Sequence, residues 1–169
     1  LQAEPGVSGV TLAKGLPSQE EYLQVQVAAP GSGDDTASGI ETSSFNRADL
    51  EFFSTFNTRV LTGRRFEPRD LAPANGAIVV NRSFVRQILG PLGGEQNPLG
   101  WRVRTVDQAI AATDGKRVPV NRTGPWLEVV GVVEDFSSEG GVRTFYQVLP
   151  RILDAVPVAA QQASTAVAP

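Results

Sequence analysis

The stretch Trp126-Leu127-Glu128-Val129-Val130-Gly131-Val132-Val133 decides the fold class. Five of its residues are Val or Leu in a nearly unbroken run, too short for a buried helix and β-branched in the way a strand buried on both faces requires. A central strand is therefore expected here, with Gly131 leaving room for another element to come close. Working outward, Ala77 to Val80 is a second short apolar strand, and Val142 to Val148 a third. Upstream, Leu23, Val25 and Val27 alternate with Gln24 and Gln26, the period-2 pattern of a half-buried strand. Val7 to Leu12 is expected as one more short strand behind Pro5-Gly6.

Helices are few. Asn46 is expected to cap a first helix whose apolar stripe is Leu50, Phe53 and Phe56. Phe84, Ile88 and Leu89 mark a second, over Ser83 to Leu89, with Asn81 able to cap it and Gly90 as its stop. Pro30 to Asp35 and Gly93 to Asn97 are turn-rich connections. Trp101-Arg102-Val103-Arg104 alternates as an exposed strand does, and 105–124 is polar with no assignable period. The pattern predicts an α+β domain: a mixed sheet with a few short helices and a smaller satellite subdomain.

With 169 residues, 41% of them hydrophobic, the chain suits one domain. It begins at Leu1 and contains no Met, as a piece of a longer product would. No run reaches the roughly 18 to 20 apolar residues needed to cross a bilayer. A net charge of -3 with interspersed signs argues against nucleic acid as a partner. The chain has neither Cys nor His, which removes thiol nucleophiles, imidazole bases and Cys/His zinc sites.

Candidate sites are correspondingly sparse. Neither Gly31-Ser32-Gly33 nor Gly90-Pro91-Leu92-Gly93-Gly94 leads into the Lys and Ser/Thr of a phosphate loop. Glu67, Asp70, Glu134 and Asp135 could support carboxylate-only chemistry if they shared a cleft. Strand alternation makes Glu134 and Asp135 diverge, and Glu67-Pro68-Arg69-Asp70 reads as a turn whose Asp takes local backbone N–H groups. Asn81-Arg82-Ser83 and Asn121-Arg122-Thr123 match the short glycosylation pattern, which is too frequent to carry weight. Arg64 and Arg65, two guanidinium groups beside Phe66, and the large rings of Trp101 and Trp126 are the candidate partner or ligand contacts.

Taken in order, several segments resemble the MacB-like periplasmic core domain of ABC-transporter permeases. They are Pro5-Gly6-Val7, Leu16-Pro17, Leu61-Thr62-Gly63-Arg64-Arg65-Phe66 with Asp70, Ile78-Val79-Val80-Asn81 with Phe84, Asn97-Pro98-Leu99-Gly100, and Glu128 to Phe136. The resemblance implies a periplasmic core domain over 1–150. Two stretches depart from the family's pattern: 105–124, which looks like an insertion, and 151–169, a C-terminal tail without charge from Ala155 on and expected to be poorly ordered or truncated. It implies a non-catalytic, cofactor-free extracytoplasmic domain of a bacterial inner-membrane permease that relays ATP-driven conformational change in export. Its implied partners are a cytoplasmic ATPase domain or subunit, a periplasmic adaptor or substrate, and a second permease copy, with no membrane contact required of this piece. The alternative is a free-standing secreted module that binds carbohydrate or peptide in a groove lined by Trp101, Trp126 and Arg64.

Overall fold

In β4 (Ala77–Asn81) every residue is buried, and the computed structural model shows why. Ile78 and Val80 point into one apolar cluster while Val79 points into another on the opposite face. The structure describes residues 9–15, 21–33, 36–113, 116–136 and 141–149. Around β4 stand β1 (Glu21–Ala28), β2 (Glu41–Ala48), β3 (Val60–Gly63), β5 (Arg102–Thr113), β6 (Lys116–Thr123), β7 (Leu127–Val133) and β8 (Thr144–Val148). Their order is β3-β7-β4-β8-β2-β1-β5-β6, and a further β7–β5 pairing closes the middle of the sheet on itself. The ring runs β7-β4-β8-β2-β1-β5 and mixes parallel β4–β7 and β2–β8 pairs with antiparallel ones.

The β-branched run is thus a central strand, as expected. β7 has β4 along one side, and along the other β5 at Leu127 and Glu128 and β3 at Gly131 to Val133. Val130 is an extra residue in its pairing with β4, a bulge that flips the facing of the residues after it. Leu127, Val129 and Val132 therefore join the inner cluster with Val25, Val27, Phe45, Val103 and Phe145, and Val133 joins the outer one with Phe52, Phe53, Phe66 and Tyr146.

Each face has a helical cover. α1 (Phe52–Thr55) lays Phe52 and Phe53 on the outer face. α2 (Arg82–Phe84) continues through a wide turn, Val85–Leu89, and presents Phe84, Val85, Ile88 and Leu89 to the inner cluster. Asn81 caps it as its sequence position predicts, its Oδ1 accepting from the Phe84 N–H at 2.9 Å. No helix among the described residues is long and apolar enough to cross a membrane.

Three expectations need correction. Asn46 caps nothing: it lies within β2, where its carboxamide accepts from the Gly15 N–H and donates to the Gly15 carbonyl, pinning the preceding segment. Gly90 does not stop the second helix, because it keeps right-handed helical angles; the reversal comes at Gly93, φ +84°. The strand expected over Val7 to Leu12 is not found in its described part, 9–12, and a single bridge just after it joins Ala13 to Ala48; residues 1–8 lie outside the described residues. The stretch 105–124, to which the sequence assigns no period, contains the antiparallel pair β5 and β6, in register from Val106/Thr123 to Thr113/Lys116. The expected tail, 151–169, lies outside the described residues.

Candidate functional site

Gly63-Arg64-Arg65-Phe66 leaves the edge of the sheet where β3 meets β7. Gly63 has φ +72°, and an ideal Cβ there would fall 2.3 Å from the Val130 carbonyl oxygen. Across the same seam a Cβ on Gly131 would fall 1.9 Å from the Arg64 carbonyl oxygen. Two glycines thus let the backbones touch, and the Arg64 N–H donates to the Val130 carbonyl at 3.1 Å.

That approach aims the Arg64 guanidinium at Asp70. Its Nη1 and Nη2 donate to the Asp70 carboxylate at 2.6 and 2.9 Å, a bidentate fork. The Asp70 side chain is only 2% exposed and Arg64 26%. Asp70 also accepts from the Glu67 N–H at 2.8 Å, so it caps the turn Pro68–Leu71 as the sequence predicts. Burial is the largest influence on Asp70 and disfavours its charge, but the Arg64 hydrogen bonds, the Glu67 N–H and the nearby cations together hold its pKa below the ordinary value. The hydrogen bond to Asp70 raises Arg64 in turn, against the opposing effect of its own burial. Both charges are fixed at neutral pH.

Arg65 faces the other way. It donates to Ser54 Oγ at 2.8 Å and to the Thr58 carbonyl at 3.0 Å, tying β3 to the end of α1. An open groove of about 590 Å³ runs along Asn57 to Val60 and Gly63 to Glu67. Another, about 630 Å³, is lined by Arg64, Arg69, Asp70, Asn75, Leu99, Gly100 and Glu128, among others. Within them Arg64 and Arg65 first serve the scaffold.

The two tryptophans part company. Trp101 is 6% exposed and sits in the inner cluster against Gly94, where an added Cβ would fall 2.7 Å from its ring. Arg102-Val103-Arg104 alternates, but Val103 faces the core, so this is not the exposed strand expected. Trp126 stays half-buried on the outside, with the Arg102 and Arg104 guanidiniums over its ring at 5.0 and 4.3 Å. Arg104 also donates to Gln26 Oε1, bracing β5 on β1. A groove lined jointly by Trp101, Trp126 and Arg64 is therefore not assembled.

The carboxylates are dispersed as well. Glu134 faces Arg82 at 3.4 Å and Arg59 at 3.8 Å. Asp135 accepts from the N–H and Oγ of Ser83 at 3.0 and 2.9 Å. Sequence reasoning misses this second junction as a unit. The Asn81 Oδ1 that caps α2 also accepts from the Thr144 N–H, and its Nδ2 donates to the Val142 carbonyl, so one side chain joins α2 to the start of β8. The only sequence signal for it is a cap-competent Asn at the end of an apolar strand, with Glu134-Asp135 ending another.

Comparison with known proteins bears on this arrangement. No curated protein matches the chain. Among solved structures it is similar to the periplasmic region of MacB from Actinobacillus actinomycetemcomitans, at TM-score 0.46 and 15% identity, over 81% of this chain and 49% of that one. It is also similar to the extracellular domain of the noncanonic ABC-type transporter YknZ from Gram-positive bacteria, at TM-score 0.48 and 15% identity, over 87% and 57%. The chain thus spans about half the length of these structures. The family model of the MacB-like periplasmic core domain matches residues 5–167. On that match, which runs through both glycine-lined strands and both polar junctions, the chain belongs to the MacB-like periplasmic core domain family, the extracytoplasmic part of inner-membrane ABC-transporter permeases.

Proposed function

We propose that this domain is the moved, non-catalytic part of its permease. ATP hydrolysis takes place on a cytoplasmic ATPase domain or subunit, membrane segments transmit the displacement, and this domain passes it to an exported substrate or a periplasmic adaptor. The observation that carries the reading is how the polar side chains are used. Arg64 with Asp70, Arg65 with Ser54 and Thr58, and Asn81 with Phe84, Val142 and Thr144 each fasten one element to another. In each, the polar groups are spent on one another and on the backbone. Such cross-bracing on a closed sheet suits a body that moves as a unit.

The test uses the whole permease with its ATPase in lipid discs, made cysteine-free, with Thr42→Cys spin-labelled in each copy. The distance between the two labels is expected to change between the ATP-bound and ADP-bound states. An unchanged distribution under turnover refutes the relay, and ATP cleavage by the 169-residue chain alone refutes the non-catalytic assignment.

A further inference from the structure

β3 is the end strand of the sheet: β7 lies along one side, and no strand among the described residues lies along the other. It spans only Val60–Gly63, and its apolar side chains are taken up by the two clusters, Val60 by the outer and Leu61 by the inner. Thr62 and Gly63 stay exposed. The open side of the strand is therefore not shielded by its own side chains.

The ladder fixes which backbone groups are left over. The Arg59 carbonyl accepts from the Glu134 N–H at 3.0 Å, so Val60, the next residue and opposite Val133, turns its own N–H and C=O away from β7. Leu61 is the extra residue of a bulge, and Gly63 beyond it has no side chain to stand in the way. Edges are commonly blunted by Pro, Lys or an inward charge, and Val60-Leu61-Thr62-Gly63 has none of these. Its shortness and its bulge limit any addition to a few residues.

A charged groove follows this edge. The open space of about 590 Å³ borders both ends of β3, and the guanidiniums of Arg59, Arg64 and Arg65 stand on it. They are unequally engaged. Arg64 is held by Asp70, and Glu67 is held by Arg69 at 2.9 Å. Arg59 is 75% exposed and meets Glu134 only at 3.8 Å, a carboxylate it shares with Arg82. Arg65 bonds to neutral oxygens, those of Ser54 and Thr58, and forms no ion pair among the described residues. Arg59, Arg64, Arg65, Arg69 and Arg82 outnumber Glu67, Asp70 and Glu134 here. They still do when Glu128, which acts on Arg64 from the neighbouring groove, is added, and this on a chain whose net charge is -3.

We propose that this edge takes up a short, extended, acidic segment of a partner protein, its backbone bonding to Val60 and its carboxylates meeting Arg65 and Arg59. Strand addition supplies the affinity and the arginines the selection. The charges choose the occupant. Arginine flanks β3 at both ends, so a second copy's β3 laid antiparallel sets Arg59 against Arg64 and Arg65 twice, and laid parallel sets Arg59 against Arg59. A basic segment meets the same repulsion, and a neutral one leaves Arg65 without a counter-charge. The inference goes beyond the relay reading and does not depend on it.

The probe is a fluorescein-labelled hexapeptide of alternating glutamate and valine, titrated with the 169-residue chain at low salt and followed by fluorescence polarisation. Binding is expected, and it should weaken as salt is raised. The glutamine counterpart and the same peptide methylated on every backbone nitrogen should not bind. Arg59→Glu and Arg65→Gln should each weaken binding about fivefold. Should Arg65→Gln fail to melt as a folded protein, the exposed Arg59→Glu decides. No rise in polarisation overturns the proposal, and so does equal binding of the glutamine or the methylated peptide. A chain that sediments as a dimer, and loses that state on Val60→Pro, would put a second copy on this edge and overturn it too. Because no nucleotide or ATPase enters this assay, its failure leaves the relay reading standing, and a static spin-label distance leaves the edge contact standing.

Discussion

Gly131→Ala is the sharpest probe of the β3–β7 seam. The added Cβ would lie 1.9 Å from the Arg64 carbonyl oxygen and 3.0 Å from its carbon, both of them backbone atoms that no rotamer change can clear. The strands must separate by about 1.5 Å to reach an ordinary van der Waals distance. That displacement breaks the Arg64 N–H to Val130 bond and disturbs the Thr62/Val132 and Gly63/Gly131 pairs, at about 1 kcal/mol for each hydrogen bond lost. It also pulls Arg64 off Asp70, a charge-assisted contact worth about 1.5–3 kcal/mol before allowance for the partial exposure of Arg64. The expected loss is about 3–5 kcal/mol, a large share of the roughly 5–15 kcal/mol that stabilises a domain. Urea unfolding followed by tryptophan fluorescence measures it. The control is Gly93→Ala, where φ is +84° but nothing lies within 4 Å, so only backbone strain of about 1–2 kcal/mol is expected. If the two variants differ by less than about 1 kcal/mol, the close-approach argument is wrong.

The same geometry gives further outcomes. Because folding lowers the Asp70 pKa below the ordinary 3.8, its contribution is fully present above about pH 4 and is lost as pH falls through the folded-state value; Asp70→Asn should lower stability at pH 7 and flatten the acid limb of a stability–pH profile. Asn81→Ala leaves the Phe84 and Thr144 N–H groups without their side-chain acceptor and should cost about 2–4 kcal/mol, with hydrogen exchange rising at both amides. Trp101→Ala should cost about 3–5 kcal/mol as a core cavity, and Trp126→Ala about 1 kcal/mol as a surface stack; equal losses in thermal melts would contradict their assigned positions.

The parts legible in the sequence are those where local chemistry and tertiary role coincide. β7 reads as central because β-branched residues fill both of its faces. Asn81 and Asp70 read as caps because their partners lie within three residues. Gly131 reads as a close approach because nothing else explains a glycine inside such a run. Misreadings arise where distant partners decide. Asn46 reads as a helix cap, yet it is buried in β2 and satisfied by Gly15, beside a buried Ser43 that donates to the Arg143 carbonyl. Arg102 and Arg104 look like solvent-facing charges because Trp126 and Gln26, which occupy them, are far away in the chain. The β5–β6 ribbon has no period because no single face of it packs on a core.

The place of β8 has a consequence for how the molecule is made. It is the last of the described strands in the chain, yet it is inserted between β4 and β2. Until Thr144 to Val148 are available, a growing chain holds two unpaired edges facing an empty slot, one of them all apolar, Ile78-Val79-Val80. The ring therefore cannot close before β8 itself has emerged. Its completion is one late, long-range event, in which Phe145 enters the inner cluster and Tyr146 the outer one together. The nascent domain is most open to mispairing just before β8 arrives.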